Sequence, residues 1–194
     1  MKAALLVVDV QNDFCSGGNL AVPDGDHVIP VLNRYLQAFQ SAQLPIFVSR
    51  DWHPSVTKHF KAYGGVWPPH CVQGTKGAEF HSDLILPKET EVVSKGMDPN
   101  RDSYSAFQAY AGNGADLGDL LRKQGVKRLF VGGLATDYCV KQSVLDAIRE
   151  GFEAVILEDA VKGVDMTPGD SEKALQEMAE AGAKKIHFQQ LTFR

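Results

Sequence analysis

The sequence predicts an α/β fold with three layers, α/β/α, around a doubly wound, mainly parallel sheet of about six strands, Rossmann-like in outline. Short apolar runs recur along the chain, several rich in β-branched residues and most apolar on both faces, as buried parallel strands require. Helical patterns alternate with them. Glycines stand just beyond the last periodic residue of three of those patterns, the usual helix stop.

The elements follow in order. An apolar run at 4–8 opens the sheet, and 28–42 carries Val31, Leu32, Tyr35, Leu36 and Phe39 at helical spacing. Strands are expected at 45–49 and 91–94. A helix at 116–124 is stopped by Gly125, and a strand at 128–132 leads to a helix at 137–150 stopped by Gly151. A strand at 154–157, a helix at 170–181 stopped by Gly182 and a strand at 185–188 complete the series. The stretch from 51 to about 88 breaks the alternation. It has few periodic apolar positions but holds Trp52, Phe60, Tyr63, Trp67, Phe80 and four prolines, which marks a long functional loop rather than disorder.

The 194 residues suit one domain, 1–194, and 44% apolar with 23% charged content is ordinary for a soluble globular chain. Twenty basic and 24 acidic side chains leave a net charge of −4 with no basic run, which argues against nucleic acid. Three widely spaced cysteines make no disulfide framework and suit a reducing, cytoplasmic setting. The N-terminal apolar run ends in Asp9-Val10-Gln11-Asn12-Asp13 without a small-residue cleavage site, so it reads as a strand rather than a leader. Nothing is long enough to span a membrane.

Chemistry concentrates where strands end. Asp9 closes the first, Asp51 and His53 follow the second, Lys95 ends the third and Cys139 follows the fourth; right-handed crossovers bring these ends to one edge. Cys139 falls in the predicted first turn of a helix, where free N–H groups and the helix dipole stabilise a thiolate and can hold an oxyanion. Alternatively it is a small buried hydrophobe. Asp9 is a general base for that thiol, or a turn acid; Lys95 is a cation between them, or a surface lysine. Asp51 and His53, two apart in extended backbone, point to one side. With His70 they make a three-ligand set for a divalent transition metal, and His59 is a candidate fourth ligand; the alternative is a loop Asp bonded to a nearby His. Cys71 is either a ligand or core, and Cys15 has no visible partner. Phe14, Trp67 and Tyr104 are rings on which a flat aromatic substrate can stack, or core.

These motifs together resemble the isochorismatase-like cysteine hydrolases, and within them the nicotinamidases (pyrazinamidases). The matching stretches are Val8-Asp9-Val10-Gln11-Asn12-Asp13-Phe14, Arg50-Asp51-Trp52-His53-Pro54 and Trp67-Pro68-Pro69-His70-Cys71. Ser94-Lys95-Gly96, Asp102-Ser103-Tyr104-Ser105 and Gly132-Gly133-Leu134-Ala135-Thr136-Asp137-Tyr138-Cys139 also match, in family order over nearly the whole chain. The resemblance implies a triad of Asp9, Lys95 and Cys139, and an oxyanion hole from the Ala135 and Cys139 amides beside a cis peptide. It implies a metal on Asp51, His53 and His70 (zinc first, then iron or manganese), with His59 open. Phe14 and Trp67 would flank a pyridine ring, with Tyr104 nearby. The implied reaction is hydrolysis of nicotinamide to nicotinate and ammonia through a thioester, in NAD salvage, with homo-oligomerisation open. Rival readings are an amidase for another small amide, a nucleotide-binding protein and a metal-water hydrolase. Gly132-Gly133-Leu134-Ala135 lacks the spacing of a dinucleotide loop, which weakens the second.

Overall fold

The structure, a computed structural model, describes residues 1–193. Strand β1 (Ala3–Val8) is central because all six of its residues are buried, which only a strand covered on both faces achieves. It pairs in parallel with β2 (Ile46–Asp51) on one side and β5 (Arg128–Leu134) on the other. Outward from β2 lie β3 (Glu91–Lys95), parallel, and β4 (Tyr110–Ala111), antiparallel. Outward from β5 lie β6 (Glu153–Lys162) and β7 (Lys184–Ile186), both parallel. The order is β4-β3-β2-β1-β5-β6-β7, so the winding reverses at β1. An open α/β sheet places its crevice there, beyond the strands' carboxyl ends.

The two faces of β1 feed two cores. Leu5 and Val7 pack with helix α1 (Val28–Ser41), whose buried stripe is Val28, Ile29, Leu32, Tyr35, Leu36 and Phe39. Ala4, Leu6 and Val8 face the opposite layer, formed by α2 (Leu117–Lys123), α3 (Lys141–Arg149) and α4 (Asp170–Glu180). Asp116 caps α2, its side chain accepting from the Asp119 amide at 2.8 Å. The α/β class read from the alternation is therefore the observed one.

Four details differ from the sequence reading. The described sheet has seven strands rather than six, because β4 is a two-residue antiparallel edge too short to leave a periodic signal. Strand β2 runs to Asp51, so that carboxylate ends the strand instead of following it. Strand β6 continues past Leu157 to Lys162, carrying half-buried Glu158 and Asp159 where alternation breaks down. Between β5 and α3 the chain makes a π-helical turn, Thr136–Val140, so α3 begins at Lys141 and Cys139 precedes it. Glycine is required at Gly133: at φ +121° a Cβ would stand 2.1 Å from the Val8 carbonyl oxygen, so only a bare backbone lets β5 approach β1 here.

Candidate active site

Strand register brings Asp9, Asp51 and Lys95 together, and the turn after β5 carries Cys139 to them. Asp51 pairs with Lys95 across β2 and β3, and Asp9 sits one residue past β1 with φ 49°, a left-handed conformation that aspartate tolerates. All four are buried. Lys95 Nζ lies 2.8 Å from Asp9 Oδ2 and 3.5 Å from Cys139 Sγ, and it also ion-pairs with Asp51 Oδ1. Ser49 Oγ donates to Asp9 Oδ1 at 2.6 Å, and Cys139 Sγ lies within 4.8 Å of an Asp9 carboxylate oxygen.

Burial dominates the protonation of this group. It raises the Asp9 carboxyl above its ordinary range against the pull of Lys95. Burial also penalises a charged Asp51, yet Lys95 and the neighbouring histidines hold that carboxyl well below the usual value. Lys95 is penalised by burial too, but Asp51 and Asp9 keep it firmly protonated. Two carboxylates share one ammonium, so the surroundings of Cys139 are net negative; burial first, then both acids, push its thiol well above the ordinary range despite Lys95. At this sulfur the helical turn and Lys95 work against burial and two acids, a balance that favours the thiol over the thiolate.

The loop after β2 builds a second cluster beside the first. The donor atoms of His53, His59 and His70 lie within 4.8 Å of one another. Each ring is oriented through Nδ1: His53 to the Gly96 carbonyl at 3.0 Å, His70 to the Pro68 carbonyl at 2.8 Å, His59 to Asp102 Oδ1 at 2.6 Å. A carbonyl only accepts, so Nδ1 of His53 and His70 carries a proton, which leaves Nε2 as the atom each ring turns inward. Those Nε2 atoms stand 3.6 and 3.8 Å from Asp51 Oδ2, and that of His53 is buried without a hydrogen-bond partner. Burial and the two neighbouring rings also lower the His59 pKa, against Asp102. Three imidazole nitrogens with a carboxylate oxygen beside them in a buried site fit a divalent transition metal. Gly96 makes room: at φ +74° its Cβ would lie 2.5 Å from the His53 ring.

The two clusters open on one cavity, lined among others by Phe14, Trp67, Tyr104, Tyr138, Ala135 and Cys139. Trp67 Nε1 donates to Tyr104 Oη at 2.9 Å, and Tyr138 meets the Trp67 ring edge-on at 5.0 Å, so three rings form one wall. The Leu134–Ala135 peptide is cis. Every residue singled out in the sequence lies at this site except the two remaining cysteines. Cys71 belongs to the core packed with Phe14, its amide donating to Asp13 Oδ2 at 2.7 Å. Sequence reasoning missed Tyr138, Ser49, Asp102 and Gln11, whose Oε1 accepts from the Asp51 amide at 2.7 Å and whose Nε2 donates to the Asp51 carbonyl at 2.8 Å. Of these Gln11, Asp102 and Tyr138 stood inside the quoted motifs, whereas Ser49, inside a predicted strand, left no signal.

Residues 3–190 match the isochorismatase domain family. The chain is 43% identical to the nicotinamidase of Escherichia coli strain K12, covering 93% of this chain and 92% of the relative. It is similar in structure to a pyrazinamidase of Pyrococcus horikoshii in complex with zinc, with TM-score 0.90 and 45% identity over 97% of this chain and all of the other. A protein of L. infantum in complex with nicotinate superposes with TM-score 0.85 and 35% identity, covering 98% of this chain and 95% of the other. Among the described residues no helix is long and apolar enough to cross a membrane.

Proposed function

The chain belongs to the isochorismatase family, and we propose that it is a nicotinamidase, hydrolysing nicotinamide (and pyrazinamide) to the acid and ammonia. The observation that carries this reading is a buried ammonium, Lys95, touching both a carboxylate, Asp9, and a thiol, Cys139, that lines a cavity with aromatic walls beside a histidine cluster.

Asp9 accepts the Cys139 proton as the sulfur attacks the carboxamide carbon, forming a C–S bond. The negative charge moves to the carboxamide oxygen, which the backbone N–H groups of Ala135 and Cys139 receive. Lys95 keeps the thiolate and Asp9 compatible in a dry site. Asp9 returns the proton to the nitrogen, the C–N bond breaks and ammonia leaves a thioester. Water, its proton taken by Asp9, adds to the thioester carbon; the C–S bond breaks, the acid departs and Cys139 regains its proton.

Asp51, His53, His70 and, as fourth ligand, His59 would hold a divalent ion, zinc first with iron or manganese as alternatives. Such an ion supplies a Lewis-acidic position for the ring nitrogen, directly or through its water. Phe14 and Trp67 sandwich the ring and Tyr104 steadies Trp67. That zinc accompanies the related pyrazinamidase supports this assignment. The setting proposed is cytoplasmic NAD salvage. Purified protein should release ammonia from nicotinamide, and Cys139→Ala should not; equal rates would discard the mechanism. Turnover of aliphatic amides in preference to nicotinamide and pyrazinamide would point to another small-amide hydrolase.

A further inference from the structure

One cluster of metal-ligating side chains lies outside the site described above. Cys15 closes the short turn Asn12–Phe14, Asp26 sits in the turn Gly25–His27 that leads into α1, and His81 lies in the last part of the long loop before β3. Their donor atoms come within 4.8 Å of one another. The sulfur is buried, whereas Asp26 and His81 are only partly covered, so the cluster opens to solvent on one side. The backbone draws these segments together: the Ser16 amide donates to Asp26 Oδ1 at 2.8 Å and the His81 amide to the Val10 carbonyl at 3.0 Å. The proposed reaction uses none of the three.

We propose that Cys15, Asp26 and His81 form a second metal site, for a divalent ion of the zinc class. A sulfur, an imidazole nitrogen and one carboxylate oxygen suit such an ion and are poorly matched to magnesium or calcium, which favour oxygen-rich sets. Water from the open side supplies the remaining position. On binding, Cys15 gives its proton to solvent and the sulfur–metal bond forms in place of the S–H bond. Without the ion, burial and Asp26 hold that thiol up at about 12. His81 Nδ1 accepts from the Asp83 amide at 3.2 Å. Coordination through Nε2 moves the ring proton to Nδ1 and forfeits that bond, so this site should bind more weakly than the histidine cluster. The bound ion would tie the residue next to Phe14 to the start of α1, fastening one wall of the substrate cavity.

The test is cobalt(II) titration of metal-free protein. The histidine site offers only nitrogen and oxygen, and with Cys139→Ala as background, which removes the thiol grouped with Asp9 and Asp51, near-ultraviolet sulfur-to-cobalt absorption reports the new site alone. The expected result is a second, weaker equivalent that brings this band, loses it in Cys15→Ser, and binds about tenfold or more weakly in Asp26→Asn. Asp26→Asn, partly exposed, decides the matter if Cys15→Ser does not fold. Saturation at one equivalent with no sulfur band overturns the proposal, as does a band that survives Cys15→Ser. Because the readout is absorption and not turnover, its failure leaves the proposed reaction untouched.

Discussion

The two halves of the candidate active site are built by different means. Asp9, Lys95 and Cys139 stand at or just past strand ends, and the hydrogen-bonded register of β1, β2, β3 and β5 sets their spacing. The histidines sit on a loop with little regular structure, and each is aimed by a bond from Nδ1 to a carbonyl or to Asp102. Sheet register fixes positions through many backbone bonds, so no single side chain is indispensable to the placement. The loop depends on a few identifiable contacts. Substitutions should therefore separate the two: strand-end changes should alter chemistry or charge balance, and loop changes should alter ligand affinity.

Cys139→Ala should have the largest effect, lowering kcat on the order of 10⁴-fold or more while leaving metal content unchanged. Loss of metal along with activity would break the separation. Lys95→Met should come next, because it leaves two buried carboxylates without their cation. We expect a loss of about 3–5 kcal/mol in chemical denaturation, and unchanged stability would mean that the acids find another partner. Asp102→Asn should weaken metal binding about 10- to 100-fold, measured by competition with a chelator, with Cys139 alkylation by iodoacetamide unaffected. The smallest effect concerns pH. Burial raises the Asp9 pKa, so the base is protonated and inactive below a limb of kcat/KM that lies above the ordinary carboxylate range. The Ser49 hydroxyl opposes that rise; Ser49→Ala should move the limb further upward and cost about fivefold in kcat/KM on its acidic side. A downward shift would show that Ser49 does not stabilise the ionised form.

The same contrast explains what was legible. Apolar runs mark strands, strand ends share an edge, and so Asp9, Lys95 and Cys139 could be grouped before any coordinate was known. Cys139's protonation could not be read, because it depends on burial and on Asp51, a neighbour supplied by register. His59 remained open in the sequence since its orienting partner, Asp102, lies beyond β3 and adjacent to no other loop ligand. Cys15 lacked a visible partner for the same reason: Asp26 and His81 reach it only through the fold. Strand β4 and the π-helical turn are each too short for periodicity to register.

Lys95 belongs to both halves. Its single positive charge is divided between Asp9 and Asp51, so neither acid holds it outright. Neutralising Asp51 would leave the whole ammonium to Asp9 and make Asp9 a weaker base, with no atom of Asp9 displaced. The proton affinity of the base is thus set in part by a carboxylate on the neighbouring strand whose other oxygen faces the histidines. Charge, and not movement, is the medium by which the loop can inform the sulfur.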